Sequence, residues 1–381
     1  MAHTVRVGAT QGLSREPSLS YRDVGVASSD EMRSFGSAIE LFKSTRNFSR
    51  LVAPDSLHGV AEPYASVLPL SADLSLAIAT DGVGTKILVA EELHRYDTVG
   101  IDCVAMNAND IICVGAEPIA MVDYMAVKAA DTEQLKDLAE GLVEGARQAH
   151  VSIPGGETAQ VGEMLADSED AFDLVGTCVG TMAPKAEIVG QSIRAGDALI
   201  GYASTGIHSN GLTLARRAFR SKGWPLERYV EDFGRTLGEE LLAPTRIYVD
   251  LAQDLRRALD VHAFAHITSD GFINLNRVPP EVGERVGFEI TDLPSIPPVF
   301  HLIGELGEIP AAEMFRVFNM GVGFCAVVPE AEAERALAIG TAQGIESTRL
   351  GSVTTECPGE VTIHANGVHL RSEGKRFVPI G

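Results

Sequence analysis

Five short stretches of this 381-residue chain carry side chains that could do chemistry. The first, Thr80-Asp81-Gly82-Val83-Gly84-Thr85-Lys86, directly follows an apolar run. Two glycines in a turn leaving a strand let backbone N–H groups approach an anion. The lysine adds a positive charge, and the aspartate can hold a divalent cation. Neither the P-loop pattern nor the dinucleotide G-x-G-x-x-G is present, and a plain glycine turn capped by its Asp would read the same way. In the second stretch Asp102, Asn109 and Asp110 interrupt an otherwise apolar segment. Asp102 and Asn109 fall on nearly the same face if one helix includes both. Polar groups in such surroundings are costly unless paired or metal-bound, and Mg²⁺ favours a few carboxylates plus phosphate oxygens. The alternative is an N-cap at Asp102 and a surface pair at 109–110. Third, Gly155-Gly156-Glu157-Thr158 reads as a carboxylate on a glycine turn just past a strand, with Asp123 a further candidate. Together these acids suit Mg–nucleotide binding.

The remaining two stretches lie in the second half. Ser204-Thr205-Gly206-Ile207-His208-Ser209-Asn210-Gly211 follows a strand and opens a helix. Helix N-termini attract anions, and a histidine there can donate a proton or stabilise an oxyanion. Ser/Asn capping with an incidental His is the plainer alternative. The last is Ala265-His266-Ile267-Thr268-Ser269-Asp270-Gly271; His266 and the preceding His262 share one side of a strand, where a histidine is either structural or a ligand.

These groups need elements to hold them. The spacing predicts a helix over 29–46, a proline-broken loop over 47–70, a buried strand over 74–80 and a helix over 104–114. The clearest helix runs over 131–150, with acidic groups at its start. Strands over 151–153 and 174–182 follow. After a Pro/Gly-rich break at 183–196 come a strand over 198–203, helices over 210–222 and 244–259, and a strand over 262–268. A strand over 324–328, a helix over 331–342 and two C-terminal strands at 348–353 and 360–364 complete the pattern. Strands and helices mix without strict alternation, so α+β, or mixed α/β, fits better than a doubly wound fold. The organisation expected is a Ser/Gly-rich mobile arm (1–20), an N-terminal domain (21–188) and a C-terminal α/β domain (189–381).

Bulk properties narrow the class. The chain is 45% hydrophobic and 22% charged, ample for real cores. It carries 31 basic and 52 acidic side chains, a formal charge of −21, which argues against nucleic acid and anionic membrane as partners. No basic patch stands out. Cys103, Cys113, Cys178, Cys325 and Cys357 form no C-x-x-C pair and read as small buried hydrophobes of a reducing compartment. With no signal-peptide core and no membrane-length apolar run, a cytoplasmic protein is expected.

The motifs together resemble a known family. T-D-G-V-G-T-K (80–86), G-I-D-x-V-A-M-x-x-N-D (100–110), G-A-E-P (115–118), D-Y (123–124), G-G-E-T-A (155–159), H-S-N-G (208–211), L-L-A-P-T-R-I-Y-V (241–249), A-H-I-T (265–268) and F-N-M-G-V-G (318–323) occur in order, from about Tyr21 onward. They look like phosphoribosylformylglycinamidine cyclo-ligase, the aminoimidazole ribonucleotide synthetase family. The resemblance implies a two-domain fold, a homodimer whose N-terminal strands form an interface barrel, and ATP with Mg²⁺ as cofactors. It implies ring closure of a small-molecule ribotide, in which a formyl oxygen is activated as a phosphate and an amidine nitrogen displaces it. By position it assigns Asp81, Gly82, Gly84, Thr85, Lys86, Asp102, Asn109 and Glu157 to ATP, and Asp81, Asp102 and Asp110 to the metal. Lys86 would touch phosphate and His208 would serve the activated intermediate. Asp123, Ser209, Asn210, His266, Thr268 and Asp270 would line the substrate. Two departures stand out: the stretch 54–63 has a single glycine where the family carries several, and Ser269-Asp270 replace glycines after His266-Ile267-Thr268. A carboxylate in an anion nest repels phosphate, by about 4 kcal/mol at ~4 Å and an effective dielectric near 20. The sequence therefore leaves three readings open: the purine cyclo-ligase, a paralogue activating a different amide, and a silent nucleotide-binding scaffold.

Overall fold

The computed structural model describes residues 42, 45, 64–166, 168–278 and 285–380. The expected arm (1–20), the altered stretch 54–63 and nearly all of the helix expected over 29–46 lie outside them.

In the first half, strands β1 (Ser66–Pro69) and β2 (Ser75–Gly82) precede helices α1 (Ile87–Leu93) and α2 (Asp97–Cys113). Then come β3 (Glu117–Val127), α3 (Thr132–Ala149), β4 (Ser152–Gln160) and β5 (Phe172–Met182). The sheet order is β1-β2-β5-β3-β4. Only β3 and β4 run parallel, and α3 supplies the crossover that a parallel pair requires. Asp131 caps α3 by accepting from Gln134 N at 2.8 Å. Helix α2 is buried along almost its whole length, because it lies between this sheet, α3 and the second half of the chain. Glycines let α2 and α3 meet backbone to backbone: a Cβ on Gly141 would stand 2.1 Å from Asp97 O.

The second half runs β6 (Ala198–Ala203), α4 (Leu212–Ser221), the two-residue strands β7 (Tyr229–Val230) and β8 (Arg235–Thr236), α5 (Leu237–Leu241) and α6 (Val249–Ala258). It continues with β9 (Ala263–His266), β10 (Gly287–Ile290), α7 (Pro298–Leu306), α8 (Ala311–Val317), β11 (Val322–Val328) and α9 (Ala333–Ala342). Strands β12 (Ser347–Thr354), β13 (Val361–Ala365), β14 (Val368–Glu373) and β15 (Arg376–Pro379) close the chain. The larger sheet has the order β15-β14-β13-β10-β12-β6-β11-β9. Every residue of β11 is buried, and Phe324 stacks with Tyr248 at 5.0 Å and lies 5.4 Å from Phe264.

The mixed α/β class is as expected, and all five cysteines are buried free thiols. Several expectations need correction. The stretch expected as loop ends in β1. A long strand, β3, stands where none was predicted, because Pro118 and irregular alternation broke the period-2 signal. Gly155-Gly156-Glu157 is not a turn past a strand but part of β4. The helix expected from Pro244 begins at Val249, since residues 244–248 hydrogen-bond to other elements instead. Two further strands follow β13. Among the described residues the first sheet is open, with β1 and β4 at its edges. Among the described residues no helix is long and apolar enough to cross a membrane.

Candidate active site

At the end of β2 the side chain of Asn107 grips the Asp81 backbone from both sides. Its Oδ1 accepts from Asp81 N at 2.9 Å and its Nδ2 donates to Asp81 O at 3.1 Å. Gly176 makes room for this: a Cβ there would sit 2.8 Å from Asn107 Nδ2. Asp81 pairs across the sheet with Gly176, Gly176 with Asp123, and Asp123 with Gly156. Directly opposed residues project to one face, so Asp81 and Asp123 share a face about 10 Å apart. Burial pushes both carboxyl groups above the usual carboxylate range, and the charge of Asp110 adds to the effect on Asp81. Glu157 opposes Tyr124 instead, so it lies exposed on the other face and is not gathered with Asp81. Gly84 takes a positive φ of 69° in the following 3-10 turn, and Thr85 Oγ1 meets Thr213 Oγ1 at 2.8 Å.

Lys86 and Asp102, both expected at the nucleotide, pair with each other. Lys86 Nζ lies 2.9 and 2.8 Å from the two Asp102 carboxylate oxygens, and both side chains are 0% exposed. Lys86 also donates to Ala243 O at 2.6 Å. Asp102 Oδ1 further accepts from Thr245 N at 2.7 Å and Thr245 Oγ1 at 2.5 Å. Burial lowers the lysine from its ordinary range, against the pull of Asp102. The pair is thus bound into the protein, although Asp102 Oδ2 has no hydrogen bond beyond its ion pair with Lys86. Polar residues in an apolar stretch can answer one another as well as a ligand, and spacing alone does not separate the two.

Farther along α2, Asn109 Nδ2 donates to Arg246 O at 2.9 Å while its Oδ1 accepts from Tyr248 N at 3.0 Å. Asp110 Oδ1 contacts His266 Nδ1 at 3.0 Å, and His266 is 0% exposed at the end of β9. Asp81, Asp110 and His266 are mutual electrostatic neighbours. Thus one end of β2, one turn of α2 and the end of β9 converge. Among the described residues no three His, Cys, Asp or Glu side chains gather around a common point as a metal cluster would.

His208 sits in the left-handed region at φ 65°, a costly conformation for a non-glycine residue that is concentrated at functional sites. Its Nε2 accepts from Thr205 N at 3.2 Å and Arg246 N at 3.5 Å. Nε2 is therefore the bare nitrogen and Nδ1 carries the proton. That Nδ1 is buried without a hydrogen-bond partner. Burial and the nearby His266, Lys86 and Arg246 drive the imidazole well below its usual range, so it stays neutral. The result is a fixed, uncommitted donor. Gly323 permits it, since a Cβ there would lie 2.5 Å from His208 Cε1. Ser209 is buried with Oγ 3.1 Å from Thr245 Oγ1, whereas Asn210, Thr268 and Asp270 are half-buried. Asp270 precedes the 3-10 turn Gly271–Arg277.

Residues that the sequence reading left without a role form the hub. Segment 243–248 takes hydrogen bonds from Lys86, Thr205 and Asn109 and gives them to Asp102, Asn109 and His208. Asn319 ties the 318–323 loop to the histidine loop, donating to Gly206 O at 2.9 Å and Ile207 O at 3.2 Å. The only sequence signal for either was its place within a quoted motif. A concavity of about 540 Å³ is lined by Thr213, Arg216, Arg217, Arg220 and Ser221, with Arg220 paired to Glu92. Helical spacing on α4 assembles it in an otherwise acidic chain.

Comparisons with known proteins agree with this layout. A family described as AIR synthase related protein, N-terminal domain, matches residues 63–182, and its C-terminal counterpart matches residues 194–364. Phosphoribosylformylglycinamidine cyclo-ligase of Thermococcus kodakarensis is 46% identical over 352 residues, covering 92% of this chain and 100% of that protein. The enzyme of the same name from Methanobrevibacter smithii is 44% identical over 319 residues, covering 83% and 89%. Among solved structures, thiamine-monophosphate kinase from Stenotrophomonas maltophilia has a TM-score of 0.56 at 18% identity, over 85% of this chain and 94% of that one. PurL of T. maritima, complexed with AMPPCP, has 0.51 at 13%, over 86% and 46%. Likeness at such identities shows the shared fold alone.

Proposed function

The chain belongs to the AIR synthase related family, and from that premise we propose that it is an ATP-dependent cyclo-ligase forming a C–N bond. Its reaction closes the imidazole ring of formylglycinamidine ribonucleotide to give aminoimidazole ribonucleotide, a step of purine biosynthesis. The observation that carries the reading is a 46% identical match to a cyclo-ligase along that protein's full length.

Bound ATP supplies a phosphoryl group that turns the poor leaving oxygen of the formyl amide into phosphate, and bound Mg²⁺ spreads the charge of that group. Asp81 and Asp110 are the carboxylates that would hold a Mg²⁺ keeping phosphate oxygens and water in its shell, since the ends of β2 and α2 bring them to the same site and neither is fully buried. The backbone of Gly84 and Thr85 suits the nucleotide phosphates, while Gly82 N–H donates to Asp81 Oδ1 at 2.8 Å and orients that carboxylate, with Asn109 fixing the neighbouring wall. His208 Nδ1–H would donate to the developing negative charge on the activated carbonyl group, the task a preorganised neutral donor performs best. Asp123, Ser209, Asn210, His266, Thr268 and Asp270 remain the substrate-side candidates. Lys86 and Asp102 we assign to holding segment 243–248 in place.

The active unit in this reading is a homodimer. Ile119, Val122 and Tyr124 are 45%, 45% and 42% exposed, and Val122 and Tyr124 share the outer face of the first sheet with Glu157. Apolar side chains on an open sheet face support this reading. Five buried free thiols suit the reducing cytoplasm. Asp270 beside the substrate wall favours one second reading, a different amide substrate. Steady-state turnover with formylglycinamidine ribonucleotide and Mg–ATP decides between them. Stoichiometric ADP and aminoimidazole ribonucleotide support the purine assignment, and ATP turnover confined to another amide overturns it.

A further inference from the structure

The β13–β14 hairpin lies outside the site described above. Its turn is Asn366-Gly367, with φ of 52° and 77°, the residue pair that suits a two-residue turn matching the twist of its strands. Such a turn fixes register: Ala365 opposes Val368, and His364 opposes His369. The His369 carbonyl is directed away from β13 and accepts from Ile380 N at 3.0 Å. His364 and His369 are therefore a non-hydrogen-bonded cross-strand pair, the arrangement that brings side chains closest, with Cα atoms about 4.5 Å apart. Both imidazoles are exposed, and their Nδ1 atoms lie 3.2 Å apart.

We propose that His364 and His369 form a two-imidazole chelate for a divalent late transition ion of the Zn²⁺ class, with water completing its coordination. Metal–imidazole bonds of about 2.0–2.1 Å meeting at the tetrahedral angle separate the two nitrogens by about 3.3–3.4 Å. At the right angle of square-planar or octahedral ions the separation is about 2.9 Å. The observed 3.2 Å lies between these values, so the two nitrogens already stand at a chelating separation and the rings, tilted by 48°, need to turn only to aim both lone pairs at the ion. Without metal, one ring donates to the other. With metal, both Nδ1 lone pairs point at the ion and both Nε2–H groups face solvent. Imidazole nitrogens select Zn²⁺, Ni²⁺ or Cu²⁺ over Mg²⁺, which prefers oxygen, so this ion is chemically distinct from one held with ATP. The formal charge of −21 enriches cations around the whole surface. No third His, Cys, Asp or Glu among the described residues completes a cluster here, so binding is weaker than at a closed four-ligand site.

The test uses the full chain without an affinity tag. Zn²⁺ binding is measured by equilibrium dialysis in excess Mg²⁺, alongside His364→Ala and His369→Ala. Both positions are exposed, and unchanged metal-free thermal midpoints check that the variants fold. The chelate predicts that each variant binds one Zn²⁺ fewer per chain, and that each loses retention on immobilised Ni²⁺. Equal Zn²⁺ counts in all three proteins, or a loss in one variant but not the other, overturns it.

Discussion

Replacing Asp102 by Asn separates a buried counter-ion from a metal ligand. The carboxylate and the Lys86 ammonium are both 0% exposed, with Nζ 2.8 Å from Oδ2. At that distance and an effective dielectric near 20 their attraction is about 6 kcal/mol, largely offset by the cost of taking both ions out of water. The intact pair therefore contributes little net stability. Removing one charge is a different matter, because the other remains buried without compensation, at a cost of about 3–5 kcal/mol. Asparagine keeps the size and can still accept from Thr245, so the charge is what the substitution changes. In the nucleotide-free protein, Asp102→Asn should lower the free energy of urea unfolding by about 3–5 kcal/mol. The double variant Lys86→Met/Asp102→Leu, which removes both ions, should recover most of that loss. Unchanged nucleotide-free stability combined with lost Mg–ATP binding would refute the reasoning and return Asp102 to the metal.

The neutral His208 makes stability depend on pH. Its folded value is depressed, so below about 6.5 the unfolded chain takes up a proton that the folded chain resists. The stability it contributes is present above that pH and declines as the pH falls toward the folded value, and His208→Asn should remove this part of the slope in denaturation at several pH values. Nitrogen NMR of labelled histidine should find His208 protonated at Nδ1 and bare at Nε2. Val122→Glu, on the exposed apolar face, should shift the chain from dimer to monomer in sedimentation while its circular dichroism is unchanged; a persisting dimer locates the interface elsewhere. Asp270→Gly should lower the KM for the ribotide with little change in the KM for ATP, and an unaltered ribotide KM would remove the electrostatic argument about that loop.

Much of the fold was legible because its helices are strongly periodic and well capped. Asp131 and the Leu138–Leu142 face mark α3 without help from tertiary structure. Strand β3 was not legible, since its outer face carries Ile119, Val122 and Tyr124, apolar residues that erase the alternation expected of a half-solvated strand. Exposed edge strand β4 reads as a turn for the opposite reason, because Gly155 and Gly156 leave few side chains to set a period. In the site, Asp81, Asp110, His208 and His266 stood out as polar residues at element ends. Lys86 and Asp102 stood out equally, yet they satisfy each other across 16 residues of sequence. Apart from the Thr245 hydroxyl, the hub at 243–248 acts through backbone groups of Ala243, Pro244, Thr245, Arg246 and Tyr248, which no residue type reveals.

Tracing one oxygen tests the chemistry most directly. Formylglycinamidine ribonucleotide carrying ¹⁸O in its formyl group is turned over with unlabelled Mg–ATP and water, and the inorganic phosphate is analysed by mass spectrometry. Activation of the carbonyl group followed by displacement predicts one ¹⁸O in each phosphate formed with aminoimidazole ribonucleotide. Unlabelled phosphate, with the heavy oxygen released to water, would contradict it.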